Sequence, residues 1–375
     1  MKSITVEAIP SKPSYLKKFI NFAWTIYKDD PAWIPPLIVA QLDRLSPKKD
    51  PYHLHSETQL FWAKRDGKIV GRISASIDRV HNETHNEKAG FFGFFECVND
   101  IDVSTALLDT AANWLRDRGM EIMRGPGNFS TNHEWSLLIK GFEHPPYIMM
   151  THNPPYYADL IEHYGFAKAK DLHAYSFSAE KDGNLNSRVI RIAERMMKRH
   201  NITLRSIDSK QLSRDIGIVK ELYRLAWEDN WGFVPLTDAE IVHLAKELKP
   251  ILVPELGLFA EVDGEPVGFS LTLPNVNQAL KKINGRLLPF GWLKLMHHIR
   301  HIDCGRLLLL GVKPGFRKRG IEAMFYKETF RRARAIGYRG GEISWTLEDN
   351  VLVNRAIEDM GGKLYKIYRA YARPL

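Results

Sequence analysis

The sequence predicts a mixed α/β (α+β) fold built from two tandem domains, each a mixed sheet flanked by helices. Three observations predict it. Residues 61–71, FWAKRDGKIVG, recur in register at 258–268 as LFAEVDGEPVG, with Ala, Asp, Gly, Val and Gly in the same places. AWTIYKDDPAWIPPL from residue 23 is echoed by AWEDNWGFVPL from 226, and LIEHYGF from 160 by AIEDMGG from 356. Echoes in one order point to a duplicated unit of roughly 180 residues, within the usual size of a domain. Finally, 375 residues are too many for one ordinary core, and a hydrophobic content of 44% can fill two.

Each element of the second copy has a local reason. ITLRSI (202–207) is a strand, and DIGIVKELYRLAWE (215–228) carries its apolar residues at helical spacing. LGLFAEV (256–262) and EPVGFSLTL (265–273) form a hairpin across Asp263-Gly264, a dipeptide that accepts the left-handed backbone of a tight turn. The apolar run CGRLLLLGV (304–312) is a buried strand, residues 319–336 a helix, and GEISWTL (341–347) a strand. LVNRAIEDM (352–360) is a short helix, and KLYKIYRAYAR (363–373) a closing strand. In the first copy GFFGFFECV (90–98) and NDIDVSTALLDTAANWL (99–115) take the places of the central strand and its helix.

Polar and turn-forming residues in SAEKDGNLNS (178–187) put the boundary between domains 1–178 and 188–375. The copies differ by two insertions, residues 124–152 in the first and 277–303 in the second, both expected to cover or shape a site. The later one is rich in apolar residues from Leu287 to Met296, enough to line an acceptor or a long acyl chain, or to pack as an amphipathic helix pair.

The formal charge of +9 fits nucleic acid, an acidic surface or an anionic small ligand. Recognition-helix, finger and stacking motifs are all missing, so nucleic acid is not the expected partner. No stretch reaches the roughly 18 uncharged apolar residues of a membrane span, and the N-terminus lacks an apolar leader core. A cytoplasmic protein with no membrane partner is therefore expected. The two cysteines, Cys97 and Cys304, fit a reducing compartment and packing roles.

Residues 311–338, GVKPGFRKRGIEAMFYKETFRRARAIGY, run from the buried strand through Pro314 and Gly315 into a helix opened by Arg317, Lys318, Arg319 and Gly320. A helix N-terminus offers unpaired N–H groups and the positive end of the helix dipole, so adjacent cations make it an anion site suited to a pyrophosphate. Gly320 is expected to let the phosphate approach the backbone. The competing reading is a solvated basic turn.

This arrangement resembles the GCN5-related N-acetyltransferases (the GNAT, or acyl-CoA N-acyltransferase, superfamily). Their signature is a strand, then Arg/Gln-x-x-Gly-x-Gly/Ala opening a helix, then a strand and a short helix that starts near an Asn. Arg317-Lys318-Arg319-Gly320-Ile321 fits the first part, and WTLEDNVLVNRAIEDMGG (345–362) the second, with Asn350 in the Asn position. The resemblance covers residues 200–375 well and residues 1–178 more weakly. It implies an acetyl- or other acyl-coenzyme A as co-substrate, pyrophosphate on the basic loop and pantetheine between two splayed strands. It also implies coenzyme contacts from Leu310, Gly311, Val312, Arg317, Lys318, Arg319, Gly320, Ile321, Asn350 and Asn354. Two positions depart from the pattern. Glu322 puts a carboxylate where the family has a small residue, and Ile357 stands where many relatives carry a proton-donating Tyr. In the first copy Asp100 and Asp102 replace the cations, and a carboxylate there caps its own helix and repels phosphate. The first copy is therefore expected to be a degenerate domain that binds no coenzyme.

Acyl transfer to an amine needs a neutral amine, an oxyanion stabiliser and a proton for the leaving thiolate. A Lys-like amine is only roughly 0.04% neutral at pH 7, so a base must help. Glu348, at the end of GEISWTL, is the candidate base, or else an exposed turn acid that caps the next helix. Tyr365, with Tyr368 behind it, is the candidate acid, though alternate aromatics on a strand also build cores. Asn350 joins them as a catalytic candidate by its motif position, and the backbone of Gly311 and Val312 would bind the acyl carbonyl. His81 and His85, and His297, His298 and His301, lack completing ligands at familiar spacing. They read as a polar hairpin loop and a charged helix end, and no metal is expected. The expected function is acyl transfer from coenzyme A to a small amine or amino-acid-like acceptor. The alternative is a non-catalytic acyl-CoA-binding or interaction module.

Overall fold

The two copies of the repeat form the same hairpin. Strands β1 (Ile4–Ile9), β2 (Ser56–Arg65) and β3 (Lys68–Asp78) are antiparallel neighbours in that order, and the register of β2 on β3 shifts between Ala63 and Lys64. In the second copy, after β4 to β9 below, β10 (Ile202–Ser206), β11 (Gly257–Val262) and β12 (Glu265–Pro274) repeat the arrangement, with the shift at Ala260 and Glu261. Each hairpin turns on an Asp-Gly pair with positive φ, +50° and +74° at Asp66-Gly67 and +50° and +85° at Asp263-Gly264. The shift falls on matching residues of the repeat, as duplication requires.

The computed structural model describes residues 3–178, 187–228 and 230–375. The predicted linker 178–187, apart from its two end residues, lies outside the described residues. The chain divides into two units that are not continuous stretches. The first takes the chain up to Leu172 together with Ala279–His297 and Lys366–Leu375; the second takes His173–Gln278 and His298–Tyr365. A contiguous split at 178–187 would have given both later segments to the second domain. Long-range bonds explain the difference. Lys281 Nζ donates to Pro31 O at 2.6 Å, Trp24 Nε1 to Asn284 Oδ1 at 2.8 Å, and Ile38 N to Gly285 O at 3.0 Å.

In the first unit the sheet continues through β4 (Ala89–Cys97), which pairs parallel with β5 (Ile122–Gly125) at Ala89–Phe91. The C-terminal strand Lys363–Pro374 adds Tyr371–Pro374 antiparallel to β5. A two-residue ribbon of β6 (Gly127–Asn128) and β7 (Glu134–Trp135) follows β5, and β8 (Leu137–Lys140) pairs with Ile367–Arg369. The helix Ile101–Arg116 buries Val103, Leu107, Leu108, Ala111, Ala112 and Leu115, one face at helical spacing, against Phe61, Ile73 and Phe92 of the sheet. β9 (Ala167–Ser178) starts in this unit, where Asp171 receives the Arg369 guanidinium at 2.8 and 3.0 Å.

The second unit repeats the order β10-β11-β12, then β13 (Cys304–Val312) and β14 (Gly340–Leu347), the last two parallel. The helices Ser187–Arg199 and Ile321–Ala335 contribute Met197, Ile321 and Phe325 to a core with Leu258, Ala260, Val267 and Val312. No helix among the described residues is long and apolar enough to cross a membrane.

One ion cluster of the first unit gives a pH prediction. Arg124 donates to both oxygens of Glu87 at 2.6 and 2.9 Å, and His81 Nε2 lies 2.6 Å from Glu87 Oε1. Burial raises the Glu87 pKa, but the bonds from Arg124 and His81 outweigh it and bring the carboxyl from 4.5 down to about 2. A depressed folded value means stability that is fully present above about pH 4.5 and is lost as pH falls through about 2. Glu87→Gln should therefore flatten the acid limb of urea unfolding measured at stepped pH. An acid limb with unchanged slope would rule this cluster out as its source.

Candidate functional site

The second unit opens a cleft between two parallel strands. β13 and β14 pair from Cys304–Gly340 to Leu307–Ile343 and no further, although they run on to Val312 and Leu347. On its other side β13 stays paired with β12, and Lys313 N donates to Val267 O at 2.8 Å. Strand alternation therefore turns the N–H groups of Val312 and Leu310 away from β12, toward the side where β14 has diverged. Gly311 lies between them because a Cβ there would fall 2.4 Å from the Trp227 ring and 2.7 Å from Ala226 Cβ. Among the described residues these two amides face a gap, which suits an extended, amide-containing ligand that pairs as a strand would.

The basic loop follows directly. Pro314–Phe316 form one 3-10 turn, Lys318 and Gly320 have φ of +63° and +84°, and Gly320 begins the helix Ile321–Ala335 with no side-chain cap. Glu322 N–H bonds its own carboxylate, and no N-cap side chain takes the other first-turn N–H groups, which suit an anion. A Cβ on Gly320 would lie 2.8 Å from Ala193 Cα, so the glycine gives room to the neighbouring helix. The two arginines are partly spent on the loop itself. Arg317 Nε and Nη2 donate to Val312 O at 3.2 Å and Ala226 O at 3.1 Å, and Arg319 Nη2 to Gly315 O at 3.0 Å. Both keep further N–H donors, and Lys318 is exposed. Burial pushes the Glu322 carboxyl up, against its own backbone N–H and Arg317, which lowers the charge it sets against an anion.

At the far end of β14, Glu348 occupies the turn before the helix Val351–Asp359, which Asn350 begins without a side-chain cap. Asn354 is 8% exposed and committed internally: it accepts from Thr346 Oγ1 and donates to Leu347 O at 2.9 Å and Glu348 O at 3.3 Å. It fastens the helix to the strand end. Ile357 is fully buried in the cluster of Tyr175, Phe177, Leu307 and Ile343, a packing role.

A polar network that the sequence did not point to lies at the root of the cleft. Arg306 and Glu342 are register partners one step before the β13–β14 ladder ends, and each is 2% exposed. Arg306 Nε donates to Ser344 Oγ at 2.8 Å and Nη2 to Ser344 O at 3.2 Å. Ser344 and Tyr365 hydroxyls both donate to Glu342, whose Oε1 is also 3.8 Å from Arg306 Nε. The candidate acid Tyr365 is thus oriented by a buried carboxylate. Tyr368 is fully buried, counted in the first unit and paired with Leu138, and so is a core residue there. The only signal for the network was a charged residue inside each of two apolar strands.

The equivalent place in the first unit is filled by the chain. Asp100 caps the helix Ile101–Arg116 by accepting from Val103 N at 3.1 Å and receives Arg65 Nη1 at 2.8 Å. The Arg65 bond, against a burial effect, holds its carboxyl below the usual range. Beyond the β4–β5 ladder, Asn128 Oδ1 accepts from Phe94 N at 2.8 Å, and a Cβ on Gly93 would fall 1.7 Å from Gly127 O. Residues after β5 therefore occupy the gap that β13 and β14 leave open. The histidines of HNETHNE sit on a short helix, Arg79–His85, rather than in a hairpin loop, because Asp78 caps it at His81 N.

The fold is that of solved GNAT proteins. A tandem GNAT protein from the clavulanic acid biosynthesis pathway matches 99% of this chain and 98% of its own at TM-score 0.58 and 10% identity. A GCN5-related N-acetyltransferase from Sphaerobacter thermophilus matches 99% and 95% at TM-score 0.54 and 12% identity. No protein-family profile matches the chain. The protein named bacterial ceramide synthase from Caulobacter vibrioides is 40% identical over 381 residues, 99% of this chain and 98% of that one. Protein YghO of Escherichia coli is 35% identical over 371 residues, 96% and 93% of the two chains. With such identity along nearly its whole length, the chain belongs to the family of these two proteins, and it carries the tandem GNAT fold.

Proposed function

We propose that the protein is an N-acyltransferase that moves an acyl group from coenzyme A to a primary amine, with the coenzyme held by the second unit alone. The observation that carries this is the divergence of β13 from β14 beside the uncapped helix Ile321–Ala335. Leu310 and Val312 N–H would pair with the pantetheine and the acyl carbonyl. Arg317, Lys318, Arg319 and the N–H groups after Gly320 would take the pyrophosphate. The amine, freed of its proton by Glu348, attacks the thioester carbonyl; the C–S bond then breaks, and Tyr365 gives the thiolate its proton. Glu342 acts through Tyr365 as a positioning residue, and Asn350 orients the turn that carries Glu348. The Caulobacter relative is named for ceramide, an amide of a fatty acid with a long-chain amino alcohol. A long-chain acyl donor and an acceptor amine on a long-chain alcohol are therefore favoured over acetyl and an amino acid. A cytoplasmic location goes with a coenzyme A donor and with a chain that has two cysteines, Cys97 and Cys304.

The test is thiol release from acetyl- and longer acyl-coenzyme A against a panel of amines that includes long-chain amino alcohols. Turnover is expected with the last; coenzyme binding without any turnover would favour a non-catalytic binding module. Glu348→Gln should lower kcat with coenzyme affinity intact, and an unchanged kcat would remove it from the mechanism. In titration calorimetry one coenzyme should bind per chain. Arg317→Ala should weaken it about ten-fold, the worth of one charge-assisted hydrogen bond. A stoichiometry of two would mean that the first unit binds as well.

A further inference from the structure

Among the described residues, the segment Ala279–His297 carries an uncovered apolar face. Leu288 is 80% exposed, Phe290 66%, Trp292 46%, Leu293 49% and Met296 54%, five large side chains within nine residues. Trp292 and Met296 are one turn apart on the helix Gly291–Ile299, with Leu293 beside them. Soluble surfaces scatter such residues singly; a contiguous set marks a contact.

Charge decides which contact. From Asn277 to Ile302 there is no Asp or Glu, while Lys281, Lys282, Arg286 and Lys294 surround the apolar residues, all of them exposed. A rim of one sign suits a surface of the other sign. Trp and Phe beside Lys and Arg is the composition of a helix that lies in a lipid headgroup layer. The face is also rigidly mounted. Ile283 is buried, Trp24 and Pro31 hold Asn284 and Lys281, and Gly285 fits so closely that a Cβ would meet Pro36 O at 2.4 Å. An unanchored hairpin would lose on ordering what it gained on contact.

We propose that the face of Leu288, Phe290, Trp292, Leu293 and Met296, with its rim of Lys282, Arg286 and Lys294, docks on the surface of an anionic phospholipid bilayer. This departs from the expectation, drawn from sequence, of no membrane partner. The docking needs no spanning helix, since side chains of this size enter only the headgroup and upper acyl region. It does not rest on the acyl-transfer reading; where both hold, docking brings the protein to the layer in which a long-chain amine dissolves.

The experiment is flotation of the full-length protein with vesicles of phosphatidylcholine alone and of phosphatidylcholine mixed with phosphatidylglycerol. Flotation is expected with the anionic vesicles, weakening as salt is raised. Phe290→Ser with Trp292→Ser should weaken binding by about a hundred-fold, and Trp292→Phe should retain it. Lys282→Glu with Arg286→Glu should cost about five-fold for each cation lost. These positions are exposed, and far-UV circular dichroism with thermal melting checks that each variant folds. Three results would overturn the proposal. They are no flotation with anionic vesicles, undiminished flotation of both the serine and the charge-reversed variants, or a wild-type dimer in sedimentation velocity that the serine variant abolishes. The last would make the face an interface between two copies.

Discussion

Glu342→Ala is expected to lower the stability of the second unit by about 3–5 kcal/mol, because it leaves the Arg306 guanidinium buried without its carboxylate. In a unit of this size that is a fall of roughly 10 °C in melting temperature. Both residues are 2% exposed, so water cannot take over from the missing partner. Ser344 still accepts from Arg306 Nε and Tyr365 loses its acceptor, so neither relieves the charge. Arg306→Met combined with Glu342→Leu should recover most of the loss, since a buried pair replaced whole is often no worse than the original. Urea unfolding of the three variants measures this. A double variant no more stable than Glu342→Ala would mean that the hydroxyl bonds, and not the ion pair, are what the site contributes. The same substitution should reduce turnover with little change in coenzyme affinity, as fits a residue acting through Tyr365.

The second large effect is expected at Gly320. Ala there must adopt φ of +84° and place its Cβ 2.8 Å from Ala193 Cα and 3.1 Å from Ala193 O. The backbone term is about 1–2 kcal/mol and the overpacking about 1–3 kcal/mol. Together they should destabilise by roughly 3 kcal/mol and displace the loop that carries Arg317 and Arg319. Ala193→Gly should rescue little, because two of the three nearest atoms are main chain. Gly320→Asn separates the terms, since Asn tolerates positive φ but meets the same helix. If Asn restores full stability, the close approach of the helix Ser187–Arg199 is not what fixes this residue.

Much of this was legible in the sequence because the repeat carries its own turn chemistry. Asp-Gly at 66–67 and 263–264 fixed both hairpins, and the strand after each was visible as an apolar run. The capping role of Asp100 followed from its place before a helix, and the bond to Val103 N is its physical form. What local patterns could not supply were contacts between residues far apart. The bonds from Lys281 and to Asn284 join positions 250 and 260 residues away, and no periodicity records them. The network of Arg306, Ser344, Glu342 and Tyr365 draws on three strands separated by helices. Glu348 stands out by following the end of a strand, whereas Glu342 is hidden inside one. Gly320 shows the same limit: the sequence announces a glycine but not that the helix Ser187–Arg199 needs the room.

The position of Lys366–Leu375 in the first unit has a consequence for how the protein is made. These residues complete the pairing of β5 and β8, yet roughly 190 residues of the second unit and the later insertion separate them from Leu172. At ordinary translation speed the ribosome needs about 10–40 s to cover that distance. During that interval the β5 edge, Ile122–Gly125, waits without its antiparallel neighbour, an exposed template for pairing with other chains. The N-terminal unit, first to be synthesised, is therefore the last able to finish folding. Truncation or a bulky fusion at the C-terminus should show its damage there, in aggregation of nascent chains, before it touches the unit that holds the proposed coenzyme site.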